Sequence, residues 1–370
     1  MARHARTPAP VLPALRAPSS ALLDADVTVA RRTFDVRASV SLAAGERLAL
    51  FGTSGAGKTT LVEAIAGTTP ITSGEVRLDH KVVNAPVSSR RAGGSSIREG
   101  TRKGRPAPVP FRDRGVSVVR QPTTLFPHLN VVENVAFGLR HPATFRSGSL
   151  PELLEQVGLS GLERALPARL SGGQRQRAAL ARALARPFRA LLLDEPFSAV
   201  DVTSRGALRQ LAIDAACGSA AVSVLVTHDL SEAQAFGNRI GVMDSGRILQ
   251  LGDADEIARA PADRRVAELF GYTTFVEHDK LRLRAFHPDR FAAGSHPERG
   301  LVLQGVVTAV RASGARFSCE LEVASPTNMA VHGPIRVNVD CPPPVGATWE
   351  VTAIEPPLVA RVAVAGTEEG

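Results

Sequence analysis

The chain has no apolar run near the ~18 residues that a membrane-crossing helix requires. Its first twenty residues carry arginine and proline without an apolar centre, so they read as a disordered tail rather than a secretory signal. Cysteine is scarce. Cys217, Cys319 and Cys341 lie far apart and form no CxxC pair, which argues against a disulfide framework or a zinc site and favours a reducing compartment. Lysine is scarcer still for a basic protein: Lys58, Lys81, Lys103 and Lys280 stand beside 40 arginines. A net charge of +8 and a pI near 10.3 raise nucleic acid or an anionic membrane surface as partners. A skew this strong towards arginine also follows from a GC-rich coding sequence, so the charge assigns no partner, and the position of Lys58 becomes informative.

What is present is ordinary for a globular protein: 370 residues, 44% hydrophobic and 22% charged, enough for two or three domains. Short apolar runs alternate with helical patterns from residue 22 onward, as in an α/β domain. Arg47–Phe51, Val116–Arg120, Ala190–Leu193, Val222–Thr227 and Arg239–Met243 read as buried strands. Lys58–Ala66, Gln174–Ala185 and Leu230–Phe236 read as helices. Residues 85–110, rich in Gly, Ser, Pro and Arg, lack the apolar content to offset chain entropy and read as a disordered basic insertion. Beyond residue 280, Leu301–Ala312, Arg316–Ala324, Ile335–Val339 and Thr348–Ile354 alternate apolar and polar residues between turn signals, the pattern of a small antiparallel β domain.

Three segments carry chemistry. Gly52-Thr53-Ser54-Gly55-Ala56-Gly57-Lys58-Thr59 follows an apolar strand and opens a helix. In G-x-x-x-x-G-K-[ST], backbone N–H groups and the helix N-terminus face phosphates, Lys58 adds a full positive charge, and the Thr59 hydroxyl is placed to ligate Mg²⁺. Leu191-Leu192-Leu193-Asp194-Glu195-Pro196 delivers two acids at the end of a buried strand. Asp194 there is expected to hold Mg²⁺ and Glu195 to polarise an attacking water. Leu170-Ser171-Gly172-Gly173-Gln174 precedes a clean helix and offers a hydroxyl and backbone N–H groups to anionic oxygens.

Taken together these motifs resemble the ATP-binding cassette (ABC) family, whose signature is LSGGQ. Three further elements fall in the family's order. Gln121 resembles the Q-loop glutamine that touches Mg²⁺, Ser198-Ala199-Val200-Asp201 resembles the D-loop, and His228 resembles the switch histidine. The resemblance implies an α/β fold: a P-loop nucleotide-binding domain of ABC type with a helical signature subdomain over 22–275, interrupted by the 85–110 insertion, and a tail over 1–21. It implies ATP and Mg²⁺ as ligands, with Gly52–Thr59, Thr60 and Ser171–Gln174 contacting nucleotide, Thr59, Gln121 and Asp194 serving the metal, and Glu195, His228, Gln121 and Asp201 serving catalysis. The family's adenine-stacking aromatic has no clear counterpart around Val29–Arg32, and Phe34 is the nearest candidate.

Leu125-Phe126-Pro127-His128-Leu129-Asn130-Val131 resembles a run found in bacterial importer ATPases, and residues 280–366 resemble the accessory barrel (OB-like, of the TOBE type) on ATPases for oxyanions, ferric iron, polyamines and sugars, with Phe286–Arg290 like its entry. This implies the ATPase subunit of a bacterial importer: a homodimer on the cytoplasmic face of the plasma membrane, bound peripherally to separate permease subunits, indirectly served by a substrate-binding protein, and not bound to nucleic acid. The phosphate loop and short first strand lean towards a molybdate- or sulfate-type oxyanion as cargo, with ferric iron, polyamine or sugar as alternatives. Arg311, Arg316 and Arg336 in the barrel are candidate oxyanion contacts. A non-transport ABC ATPase acting on nucleic acid or the ribosome is the reading from another class.

Overall fold

The computed structural model describes residues 21–86, 109–110, 113–137, 139, 150–277, 282–293, 300–313, 316–323, 331–332, 335–354 and 358–360. Most of the 85–110 insertion and all but one residue of the 1–21 tail lie outside that set. The chain divides into two compact units, residues 1–248 and 249–370.

The first unit is built on a mixed sheet. Its strands are β1 (Ala21–Val29), β2 (Val36–Ala43), β3 (Arg47–Phe51), β4 (Ser73–Leu78), β5 (Lys81–Asn84), β6 (Val116–Val119), β7 (Ala190–Asp194), β8 (Val222–Thr227), β9 (Arg239–Asp244) and β10 (Arg247–Gly252), in the spatial order β5-β4-β1-β2-β10-β9-β3-β8-β7-β6. One half, β5-β4-β1-β2, is antiparallel. The other, β9-β3-β8-β7-β6, is parallel. Every residue of β7 and β8 is buried, as expected of parallel strands covered on both faces. The interleaving of β3, β8 and β7 forces crossovers, and those crossovers carry helices.

Helix α1 (Lys58–Ala66) follows β3 directly and buries Leu61, Val62 and Ile65. Helices α2 (Val131–Ala136), α3 (Leu150–Gln156), α4 (Gly172–Ala185), α5 (Val202–Cys217) and α6 (Leu230–Phe236) complete the unit. Leu154, Leu180 and Leu184 of α3 and α4 share one core with Leu191, Leu193 and Leu225 of the parallel strands and with Phe197 and Phe236. This helical group answers to the expected signature subdomain. Helix α4 starts at Gly172, two residues ahead of the expected Gln174. The Ser171 hydroxyl accepts from Gln174 N–H and the Gln174 side chain accepts from Ser171 N–H, a capping box that fixes both glycines in the first turn.

The second unit opens with short helices α7 (Ala254–Arg259) and α8 (Arg264–Leu269) and is otherwise β. Strands β11 (Thr274–Glu277), β12 (Arg282–Phe286), β16 (Val331–His332) and β19 (Leu358–Ala360) form a four-stranded sheet in the order β16-β11-β12-β19. Strands β13 (Phe291–Ala293), β14 (Gly300–Ser313), β15 (Arg316–Val323), β17 (Ile335–Val339) and β18 (Thr348–Ile354) form a five-stranded one in the order β13-β18-β14-β15-β17. All their pairings are antiparallel. Phe286 packs with Phe291, Leu303, Val337 and Val351 in one core, an all-β arrangement compatible with the expected small barrel.

Candidate functional site

Parallel strands gather loops at their C-terminal ends, and here four neighbours β3, β8, β7 and β6 end on predicted residues: the Gly52–Lys58 loop, His228, Asp194 with Glu195, and Gln121. The loop is tight. A Cβ on Gly52 would stand 2.0 Å from the Met243 carbonyl oxygen. Gly57 has φ 101° and faces the Val36 side chain and Gly246, so neither position has room for a side chain. The Gly246 N–H donates to the Ala56 carbonyl, which ties the loop to the β9–β10 turn. Unlike α4, α5 and α6, helix α1 has no side-chain cap. Its first-turn N–H groups are therefore left for an anion.

Lys58 is buried, and its Nζ donates to the Gly52 and Thr53 carbonyls, each at 2.8 Å. Burial holds its ammonium below the ordinary value, while Glu195 and Asp194 pull the other way. Asp194 is also buried, and burial lifts its carboxyl above the usual range, opposed by the Thr59 hydroxyl that donates to Asp194 Oδ1 at 3.1 Å. A hydroxyl and a carboxylate side by side form the hard oxygen set that suits Mg²⁺, so the residues fit that ion. Gln121 is exposed at the end of β6 and makes no hydrogen bond with Thr59 or Asp194.

Glu195 has φ 43°, a left-handed backbone in a residue with a full side chain. Its N–H donates to the Val226 carbonyl at 3.1 Å, and its Oε1 lies 3.1 Å from His228 Nδ1. His228 is held from both sides: the Asp229 N–H donates to the Thr227 hydroxyl, and that hydroxyl donates to the buried Glu232 carboxylate. Burial raises the Glu232 carboxyl.

The structure thus brings together Lys58, Thr59, Asp194, Glu195 and His228. Among the described residues no hydrogen bond joins Ser171–Gln174 to the phosphate loop. Thr53 and Ser54 are exposed loop residues, whereas Ala56 and Thr60 are buried. Asp201 caps α5. Its carboxylate accepts from Ser204 N–H at 2.9 Å and from the Thr203 hydroxyl at 2.6 Å, and these bonds draw its pKa to about 2. Phe34 packs beside Gly246, whose Cα in turn neighbours Gly57, so this aromatic does lie next to the phosphate loop. Of the barrel arginines, Arg316 pairs with Asp289 and Asp340 and Arg336 with Glu320, while Arg311 is exposed.

Sequence reasoning passed over Gln176, Thr227, Glu232 and Gly246. Gly246 sits in an Asp-Ser-Gly turn that could have been noticed. Gln176 stands in a run of polar residues, and only the tertiary fold shows it to be buried.

The family model described as "ABC transporter" matches residues 36–198. The Fe(3+) ions import ATP-binding protein FbpC of Mesorhizobium japonicum is 38% identical over 233 residues, 63% of this chain and 59% of that protein. The chain thus spans about three fifths of the length of three of the iron-import relatives it matches. The sulfate/thiosulfate import ATP-binding protein CysA 2 of Rhizobium meliloti is 33% identical over 343 residues, 85% of each chain. A solved structure of the ATP-binding cassette MJ0796, a dimer in a post-hydrolysis state bound to ADP and Pi, superposes with TM-score 0.50 at 25% identity, covering 62% of this chain and 98% of that one.

Proposed function

Because the chain belongs to the ABC transporter family, we propose that it hydrolyses ATP to drive a bacterial importer, binding peripherally through permease subunits at the cytoplasmic face of the membrane. The observation that carries this reading is the linked set Lys58, Thr59–Asp194 and Glu195–His228 at the ends of adjacent parallel strands. Lys58 Nζ, now on loop carbonyls, turns to the β- and γ-phosphates when ATP enters. Thr59, Asp194 and Gln121 would hold Mg²⁺, which would supply charge neutralisation on the phosphate oxygens. Glu195 takes the proton of the attacking water as its oxygen bonds to Pγ and the bond to the ADP oxygen breaks. His228, beside Glu195, contacts the γ-phosphate.

Two copies face each other head to tail, so that Ser171–Gln174 of one caps the nucleotide on Gly52–Thr60 of the other, with Asp201 at the same seam. The dimeric MJ0796 neighbour supports this arrangement. A groove lined by Thr124, Leu125, Phe126, Phe137, Leu139 and Arg182 opens beside the end of β6 and suits the permease, since Phe137 is half exposed in it. No helix of the described residues is long and apolar enough to cross a membrane. For cargo we keep the oxyanion reading, of sulfate type, supported by the sulfate/thiosulfate import relative of Rhizobium meliloti, which matches 85% of this chain. A substrate-binding protein serves the system indirectly.

Calorimetry with ATP tests the site. Lys58→Ala should weaken binding about 10–100-fold, the worth of ~1.5–3 kcal/mol of charge-assisted bonding. Unchanged affinity contradicts the assignment. Co-purification with permease subunits supports the transport role, and recovery with nucleic acid at physiological salt opposes it.

A further inference from the structure

Gln176 lies on α4 one turn beyond Gly172 and Gly173, on the same helix face. It is buried at 4% exposure, yet its amide is almost fully bonded. Its Nε2 donates to the Glu195 carbonyl at 2.7 Å and to Ser198 Oγ at 3.2 Å, and its Oε1 accepts from Ala199 N–H at 2.8 Å. All three partners lie in the single turn that runs from Glu195 to Ala199. The Ser198 hydroxyl also donates to the Glu195 carbonyl at 3.0 Å. Gly173 presses on the same turn, since a Cβ there would stand 2.8 Å from the Ala199 carbonyl oxygen.

We propose that Gln176 is a positioning residue that locks the signature end of α4 to the turn bearing Glu195, so that capping of ATP on the partner copy and the aim of Glu195 in the chain's own site are coupled. This rests on the head-to-tail reading above. The physical case has three parts. The left-handed backbone at Glu195 is an uncommon conformation that persists only when its surroundings over-determine it, and Gln176 supplies one of its fixings. The capping box makes the first turn of α4 rigid, so a displacement of Ser171–Gly173 is carried to residue 176 rather than absorbed. A buried amide with both N–H groups and its oxygen committed is costly to move away from its partners, so the turn follows the helix.

The test uses the full chain and Gln176→Met, which keeps the side-chain length and loses every hydrogen bond. Because a core change can harm folding, Ser198→Ala, at an exposed residue, is the second variant. Calorimetric ATP affinity should stay within 2-fold of wild type. Steady-state hydrolysis should lose about 10-fold in kcat for Gln176→Met and about 3-fold for Ser198→Ala, with KM within 3-fold, and the Hill coefficient for ATP should fall from above 1 to 1 in the Met variant. Independent of turnover, adding Gln176→Met to Glu195→Gln should raise by about 5-fold the ATP concentration that gives half-maximal dimer on size exclusion. Wild-type kcat and Hill coefficient in both variants overturn the inference alone. So does a Met variant that melts lower but keeps wild-type kcat and Hill coefficient per folded molecule, which makes Gln176 merely structural. A wild-type chain that neither binds nor hydrolyses ATP overturns the underlying reading as well.

Discussion

In the first unit the described interior holds Lys58, Asp194, Gln176 and Glu232, whereas the buried polar groups described in the second unit are Thr274 and Thr352. Among the described residues of the second unit no charged group is buried, and several pair with one another at the surface. Arg316 reaches Asp289 and Asp340 and also donates to the Asn338 carbonyl, and Arg336 meets Glu320. Charge taken out of water must be held in place, and groups so held can act on a substrate without rearranging first. Charge left in water contributes little and is screened. The contrast is the one expected if the proposed hydrolysis takes place in the first unit.

The contrast breaks most sharply if the phosphate loop tolerates bulk. Gly52→Ala puts a Cβ against the Met243 carbonyl, and it should cost about 3 kcal/mol, the upper end of the overpacking range, with ATP binding lost. A melt and a calorimetric titration check both. His228→Ala removes the partner 3.1 Å from Glu195 and should slow hydrolysis about 100-fold, near the low end for loss of one charge-stabilising donor, while the melting temperature stays put. Single-turnover kinetics decide this.

The comparison sharpens through changes that should matter little. Arg316→Ala breaks two exposed ion pairs, so stability should fall by no more than ~1 kcal/mol and hydrolysis by nothing measurable. A large loss of turnover would tie the second unit to catalysis. Deleting residues 87–108 should likewise leave hydrolysis unchanged and stability close to that of the full chain. The flanks already meet, since Val109 N–H donates to the Val82 carbonyl at 3.2 Å, and loop closure changes by only about 0.6 kcal/mol per doubling of length. The loop between Val82 and Val109 shortens by nearly three doublings, so denaturant titration of the shortened chain should stay within about 1.6 kcal/mol of the full one.

Much of this was legible before any coordinates. Arg47–Phe51, Lys58–Ala66, Val222–Thr227, Leu230–Phe236, Ile335–Val339 and Thr348–Ile354 fall where apolar period and punctuation put them. Each is a local signal: an unbroken apolar run, a glycine loop before a helix, or strict alternation. The acids at the end of β7 were legible for the same reason, whereas the histidine at the end of β8 was singled out only by the resemblance to the ABC family. What was missed is non-local. The strands β1, β2, β4 and β5 take their meaning from one another's register. The bonds of Gln176 join residues 19 to 23 positions apart, and nothing in QRQR distinguishes the buried glutamine from its solvated neighbours. Arg316 and Arg336 show the opposite case, read from sequence as oxyanion contacts or as solvated surface arginines. Positive charge in sequence reads as a site for an anion, and the fold supplies the anions itself as Asp289, Asp340 and Glu320.

The most direct test of the central claim, that Glu195 in the first unit drives hydrolysis at a site closed by a second copy, is ATP turnover by Glu195→Gln measured alongside its elution on size exclusion. The account predicts ATP binding as in wild type, hydrolysis lowered by about 10²–10⁴-fold, the usual range for loss of a general base, and an ATP-dependent dimer. Turnover at the wild-type rate, or an ATP-bound variant that stays monomeric, would contradict it.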